Sequence, residues 1–137
     1  MTQGTLLTGN AAAAWGARLA DVDYIPAFPI TPQTEIIELL AQWTAEGTMP
    51  ARFVTLDSEH SMLTAAGAAA ATGARVFTAT SSQGLLYGFE MLYAIADWRV
   101  PLEILAAYLT PGEEPVPRGG AGLPILSWLN GTEDMHW

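Results

Sequence analysis
The chain has 137 residues, half of them hydrophobic and 14% charged, a composition that fits one globular domain with a sizeable core and excludes a disordered segment. Its formal net charge is −9 and all five basic residues are arginines, so it repels phosphate backbones and anionic lipid surfaces, and neither a nucleic-acid nor a membrane partner is expected. With no cysteine the chain can hold neither a disulfide nor an iron–sulfur cluster on its own thiolates, and its two histidines, His60 and His136, are too few and too far apart for a zinc site.

The opening MTQGTLLTGN lacks a basic region followed by an apolar core; no signal peptide is expected, and the cytoplasm is the expected location. Residues 10–20 read as a helix with Asn10 as its N-cap and an alanine run behind it. Residues 23–28 read as a short buried strand, although Pro26 cannot donate to a sheet ladder. PITPQTEIIELLAQWTAEG follows as a second helix. Thr31 would be its N-cap and Pro32 its first residue; Ile36, Ile37, Leu39, Leu40 and Trp43 give the apolar face, and Gly47 ends it.

The alternation repeats. Residues 52–56 read as a strand, Asp57 or Ser58 caps a helix to about Thr72, and Gly73 closes it. Residues 75–80 read as a third strand, SSQG as a loop, and the stretch to about Asp97 as a helix. Residues 101–107 read as a fourth strand. Strands alternating with helices imply an α/β fold with a parallel sheet flanked by helices. From residue 108 the chain becomes dense in Pro and Gly and loses its period, reading as a divergent tail over 108–137 with a short apolar patch at 123–129. A folded domain rarely stops in this way, so truncation or a changed reading frame is the expectation.

Ligands of open parallel sheets bind beyond the carboxyl ends of the strands. Three polar loops fall there: PITP at 29–32, DSEHS at 57–61 and TSSQG at 80–84. Thr31 could help hold a substrate carboxylate beside the free N–H groups of a helix start, but spacing alone favours a simple cap. Glu59 could share a proton with a bound heterocycle in a dry site, or merely complement a helix dipole, and sequence alone favours the dipole. His60 could be a base, but a lone His beside a helix start is more often structural. TSSQG offers hydroxyls, an amide and a glycine, yet equally fits an ordinary turn; it is not a Walker A loop, and no G-x-G-x-x-G is present. AAGAAAATGA reads as a closely packed helix, and Trp15, Trp43 and Trp98 as core or interface.

Taken in order, YIPAFPITPQTEIIELLAQW, FVTLDSEHSMLTAAGAAAATGARVFTATSSQGL and EMLYAIADWRVPLEIL resemble the first domain of pyruvate:ferredoxin oxidoreductase α subunits and of the related branched-chain 2-oxoacid enzymes over about residues 8–105. DSEHS and TSSQG look like the pyruvate and ketoisovalerate branch. The resemblance implies a thiamine-diphosphate-binding fold, with residues 1–107 as a partial pyrimidine-binding domain. It also implies oxidative decarboxylation of a 2-oxoacid to an acyl-CoA, with electrons passed to ferredoxin. In that family a Glu of this domain contacts N1′ of the aminopyrimidine and so helps the cofactor lose its thiazolium C2 proton; Glu59 matches it. The Thr of PITP contacts the substrate carboxylate; Thr31 matches it. Ser82 and Gln83 fall in the loop near the cofactor. Magnesium, the iron–sulfur clusters and CoA handling are expected on partner subunits or domains.

Departures from the family pattern accompany the match. The family's Asn-Arg segment after the fourth strand is replaced by AAYLTPGEEPVPRGG, where Arg118 is nearby but lacks matching surroundings. Met62 stands where the family often has a small residue. The Gly-Asp-Gly motif for diphosphate and magnesium is absent. Two readings follow: a subunit or N-terminal fragment donating Glu59 and Thr31 to a shared site, or a non-catalytic truncated α/β interaction module. An unrelated small-molecule binder fits three ordered motifs poorly.

Overall fold
The structure, a computed structural model, describes residues 6–100, 102–107 and 125–128. Its elements run α1 (Gly9–Leu19), β1 (Tyr24–Ala27), α2 (Thr34–Ala45), β2 (Arg52–Thr55), α3 (Glu59–Ala71), β3 (Phe77–Ser81), α4 (Ser82–Tyr87), α5 (Phe89–Trp98), β4 (Leu102–Ala107) and β5 (Ile125–Trp128). The α/β architecture expected from the alternating pattern is present. β1 pairs in parallel with β2, and β3 in parallel with β4. A parallel bridge between Tyr24 and Val76 links the two ladders.

Pro26 explains why β1 and β3 meet at a bridge instead of a full ladder. It has no N–H to give. The gap is closed by a side chain: the Thr78 hydroxyl donates to the Pro26 carbonyl at 2.7 Å, fully inside the protein. The N–H groups of Asp23 and Tyr24 both reach the Arg75 carbonyl, at 2.8 and 3.2 Å. The resulting lateral order is β2-β1-β3-β4, with β1 next to β3 although β2 lies between them in the chain. One strand was not anticipated. β5, inside the expected tail, pairs antiparallel with β4, Leu102 opposite Trp128.

Helices cover both faces. On one, Ala14 and Ala17 of α1 and Ile36, Ile37, Leu40 and Trp43 of α2 pack on Ile25, Ala27, Phe77 and Ala79. On the other, Met62, Leu63, Ala66 and Ala70 of α3 and Leu92 and Ile95 of α5 pack on Val76, Leu102 and Ile104. Met62 is completely buried, so the departure at that position is a packing residue. Burial of side chains like these stabilises by roughly 1.5–3 kcal/mol each. Trp43 is nearly buried, and Trp15 leans on it at 5.0 Å between ring centroids, with the Arg18 guanidinium over both. Gly47 and Gly73 end α2 and α3 at φ of 70° and 89°, the left-handed region where a side chain is strained.

Three element starts differ from expectation. α1 is capped by Thr8, whose hydroxyl oxygen accepts from the Ala11 N–H, not by Asn10. α2 starts at Thr34 with Gln33 at its N-cap, so Thr31 caps nothing. SSQG is not a loop: β3 runs through Ser81 straight into α4, capped by Ser81, and Gly88 separates α4 from α5. In the first two cases a competing tertiary bond or turn outweighed local propensity. Asn10 instead donates its amide to the Pro32 carbonyl at 2.9 Å, and a turn closed by the Gln33 N–H on the Ile30 carbonyl delays α2.

Candidate functional site
The chain reverses its lateral direction between β1 and β3, because the crossover through α2 leaves β1 on one side and the crossover through α3 returns on the other. Such a switch point opens a crevice at the strands' carboxyl ends. The three polar loops read from the sequence all leave the sheet at that edge: Phe28 to Gln33 after β1, Leu56 to Ser58 after β2, and the Ser81–Ser82 junction after β3.

Glu59 is the first residue of α3. Ser58 fixes that helix start by accepting from the Ser61 N–H, at 3.1 Å. The start of a helix attracts a carboxylate, but such residues usually face water. Glu59 does not: its residue is 7% exposed. Among the described residues no hydrogen bond or ion pair reaches its carboxyl group. The carboxyl group is thus left open to a partner from outside.

The floor beneath Glu59 is built by β3 and α4. Thr80 is completely buried, and its hydroxyl has no hydrogen-bond partner. Gly84 lets α4 approach closely. A methyl group there would overlap the Thr80 hydroxyl and would lie 2.8 Å from Cγ and 2.9 Å from Oε1 of Glu59. Ser81, also fully buried, caps α4 through Gly84. Sequence reasoning singled out TSSQG as a polar loop but assigned only Ser82 and Gln83 in it, not Thr80, Ser81 or Gly84. The signal that could have found them is a hydroxyl pair followed by glycine at the end of an apolar strand, FTATSSQG.

The other predicted residues are distributed around this floor. Ser82 is half-buried and Gln83 is exposed; the Ser82 hydroxyl donates to the Gln83 amide oxygen at 3.0 Å. Both lie in the first turn of α4. Thr31 is exposed, on the turn leaving β1. That turn is held from two sides, by Asn10 on the Pro32 carbonyl and by Gln33, whose amide donates to the Phe28 carbonyl at 3.0 Å. Gln33 is completely buried and its amide oxygen is unpaired, a second polar group that sequence reading missed. His60 is partly exposed, 3.8 Å from Glu90. Among the described residues no cluster of His, Asp and Glu could hold a metal ion. No helix among them is long and apolar enough to cross a membrane. Arg118 and most of the tail lie outside the described residues.

Known proteins resemble the chain over most of its length. The family model described as pyruvate flavodoxin/ferredoxin oxidoreductase, thiamine diP-bdg, matches residues 15–108. The pyruvate synthase subunit PorA of Methanocaldococcus jannaschii is 49% identical over 107 residues, which is 78% of this chain and 28% of the relative. The ketoisovalerate oxidoreductase subunit VorA of Pyrococcus horikoshii is 48% identical over 97 residues, 71% of this chain and 25% of the relative. The chain therefore spans between 25% and 28% of the length of these two relatives. A solved structure, 2-oxoglutarate:ferredoxin oxidoreductase from Magnetococcus marinus with 2-oxoglutarate, coenzyme A and succinyl-CoA bound, superposes with a TM-score of 0.71 at 25% identity. It is matched over 78% of this chain and 18% of that one.

Proposed function
The chain belongs to the pyruvate flavodoxin/ferredoxin oxidoreductase family through its thiamine-diphosphate-binding domain, and from that premise we propose that it supplies the pyrimidine side of a cofactor site completed by partner subunits. The reaction served is the oxidative decarboxylation of pyruvate or a related 2-oxoacid to an acyl-CoA, with electrons leaving to ferredoxin. The observation that carries this reading is Glu59, 7% exposed at the carboxyl edge of the sheet, with no hydrogen bond to its carboxyl group among the described residues.

The residues suit one edge of a nitrogen heterocycle. A carboxyl group needs a partner able to share a proton, and a flat ring tolerates the tight floor that Gly84 makes. Thiamine diphosphate, when bound, supplies the electron sink for decarboxylation, and an aminopyrimidine with a ring nitrogen that can exchange a proton. Glu59 holds that proton at its carboxyl oxygen. Thr31 donates its hydroxyl to the carboxylate of the 2-oxoacid, on a turn that Asn10 and Gln33 keep in place. Ser82 and Gln83 line the cofactor's polar edge. Diphosphate, magnesium, the clusters and CoA fall to partner subunits.

The exposed side chains of Leu86, Tyr87 and Tyr93 on α4 and α5 favour a second reading, a non-catalytic interaction module. Calorimetric titration of thiamine diphosphate into the chain combined with the partner subunits separates the two. Saturable binding that weakens about tenfold or more in Glu59→Gln, the loss of a hydrogen bond to a charged group, is the expected result. Equal binding with and without this chain contradicts the cofactor role.

A further inference from the structure
Gln33 stands where the pattern of α2 calls for an apolar side chain. It precedes Ile36, Ile37 and Leu40 at helical spacing, and all three are buried. Gln33 is completely buried as well, and its amide oxygen has no hydrogen-bond partner. A methionine would fill a similar volume without burying an unpaired oxygen. What the glutamine gains is a bond from its amide nitrogen, which donates to the Phe28 carbonyl at 3.0 Å. Its backbone N–H donates to the Ile30 carbonyl at 3.1 Å, and the Asn10 amide donates to the Pro32 carbonyl at 2.9 Å. The carbonyls just before and just after Thr31 are therefore both held, and the Gln33 side chain ties down the entry to the turn at Phe28. Thr31, between these ties, is exposed.

We propose that Gln33 is a positioning residue for substrate recognition: its buried amide fixes the turn so that the Thr31 hydroxyl is already oriented when the 2-oxoacid arrives. This rests on the reading of Thr31 as the group that receives the substrate carboxylate. Gln33 touches no ligand and acts through Thr31 alone. A donor ordered beforehand loses little freedom on binding, so the bond it makes to the carboxylate is not offset by the ordering of a loop. Asn10 serves the same turn from α1, and the two amides together leave Thr31 the free polar side chain on a fixed backbone.

The first test needs neither cofactor nor partner. The nitrogen-15 order parameter of the Thr31 amide is measured on the full chain. The expected value is that of ordered backbone in the parent, about 0.85, falling towards about 0.6 in Gln33→Met. Asn10→Ala, which frees the Pro32 carbonyl, takes the place of Gln33→Met should that variant fail to fold. An unchanged order parameter in the folded variant overturns the inference. The second test is turnover of pyruvate by the chain assembled with its partner subunits. Gln33→Met raises KM for pyruvate by up to about tenfold, the range of one hydrogen bond to a charged group. The change is in KM and not in kcat, the pattern of substrate binding lost uniformly, and the thiamine-diphosphate dissociation constant stays as in the parent. The same substitution adds nothing further in the Thr31→Val background. Ile36→Val, which costs α2 a comparable amount of packing, leaves KM as in the parent. A rise in KM of equal size in Ile36→Val, or one that Gln33→Met repeats in the Thr31→Val background, makes Gln33 merely structural and overturns the inference. A KM that moves in Thr31→Val but not in Gln33→Met overturns it too. Failure of the Thr31 reading looks different: Thr31→Val then leaves KM unchanged while Gln33→Met still lowers the order parameter.

Discussion
At the scale of single residues, Glu59 sits where two tendencies oppose each other. Acids at the head of a helix usually face water, and Glu59, at the head of α3, is only 7% exposed. The sequence placed Glu59 correctly at a helix start, and at that level a surface acid complementing the dipole was the better reading. Burial alone separates the two readings, and burial depends on α4, whose approach is set by one glycine 25 positions later in the chain. Replacing Gly84 by Ala should therefore destabilise the chain by about 1–3 kcal/mol through overpacking, read from the midpoint of urea unfolding. A variant as stable as the parent would mean that Glu59 can move aside freely. Ser58 gives a smaller effect. Ser58→Ala removes the cap of α3 and should cost about 1 kcal/mol in the same assay.

At the scale of elements, the apolar face of α2, the extent of α3 and the four parallel strands were legible, because hydrophobic period and glycine stops are local signals. Element starts were less so. Thr8 and Asn10 are both good caps by chemistry, and only the Pro32 carbonyl, 22 residues away, decides that Asn10 is used elsewhere. Thr31 followed by Pro32 has the pattern of a helix start, yet the turn closed on Ile30 moves that start to Thr34 and leaves Thr31 free for another task. SSQG carries turn residues, but its first serine completes a strand and caps a helix at the same time. The seam between β1 and β3 makes a direct prediction. Thr78→Val deprives the Pro26 carbonyl of its donor inside the protein, and should cost roughly 1–3 kcal/mol in denaturant unfolding. An unchanged midpoint would show that the seam is held by packing alone.

At the scale of the whole molecule, the switch point between β1 and β3 gathers Thr31, Glu59 and Thr80 onto one edge. Order along the chain announced that edge; the lateral order of the strands, a long-range property, did not appear in it. β5 was hidden for the same reason, since its partner β4 lies across a stretch without a periodic signal. The large apolar side chains left in water on α4 and α5, with Trp98 at 47% exposure, should make the isolated chain self-associate. Sedimentation velocity should show a weight-average coefficient that rises with concentration, and a single monomer species across the range would contradict this. The most direct test of the central claim is the exchange rate of the thiazolium C2 proton of thiamine diphosphate, followed by proton NMR in deuterium oxide with the chain and its partner subunits assembled. Rapid exchange in the parent and its loss in a folded Glu59→Gln variant are the predicted result; undiminished exchange in that variant would show that Glu59 is not the acid that serves the cofactor.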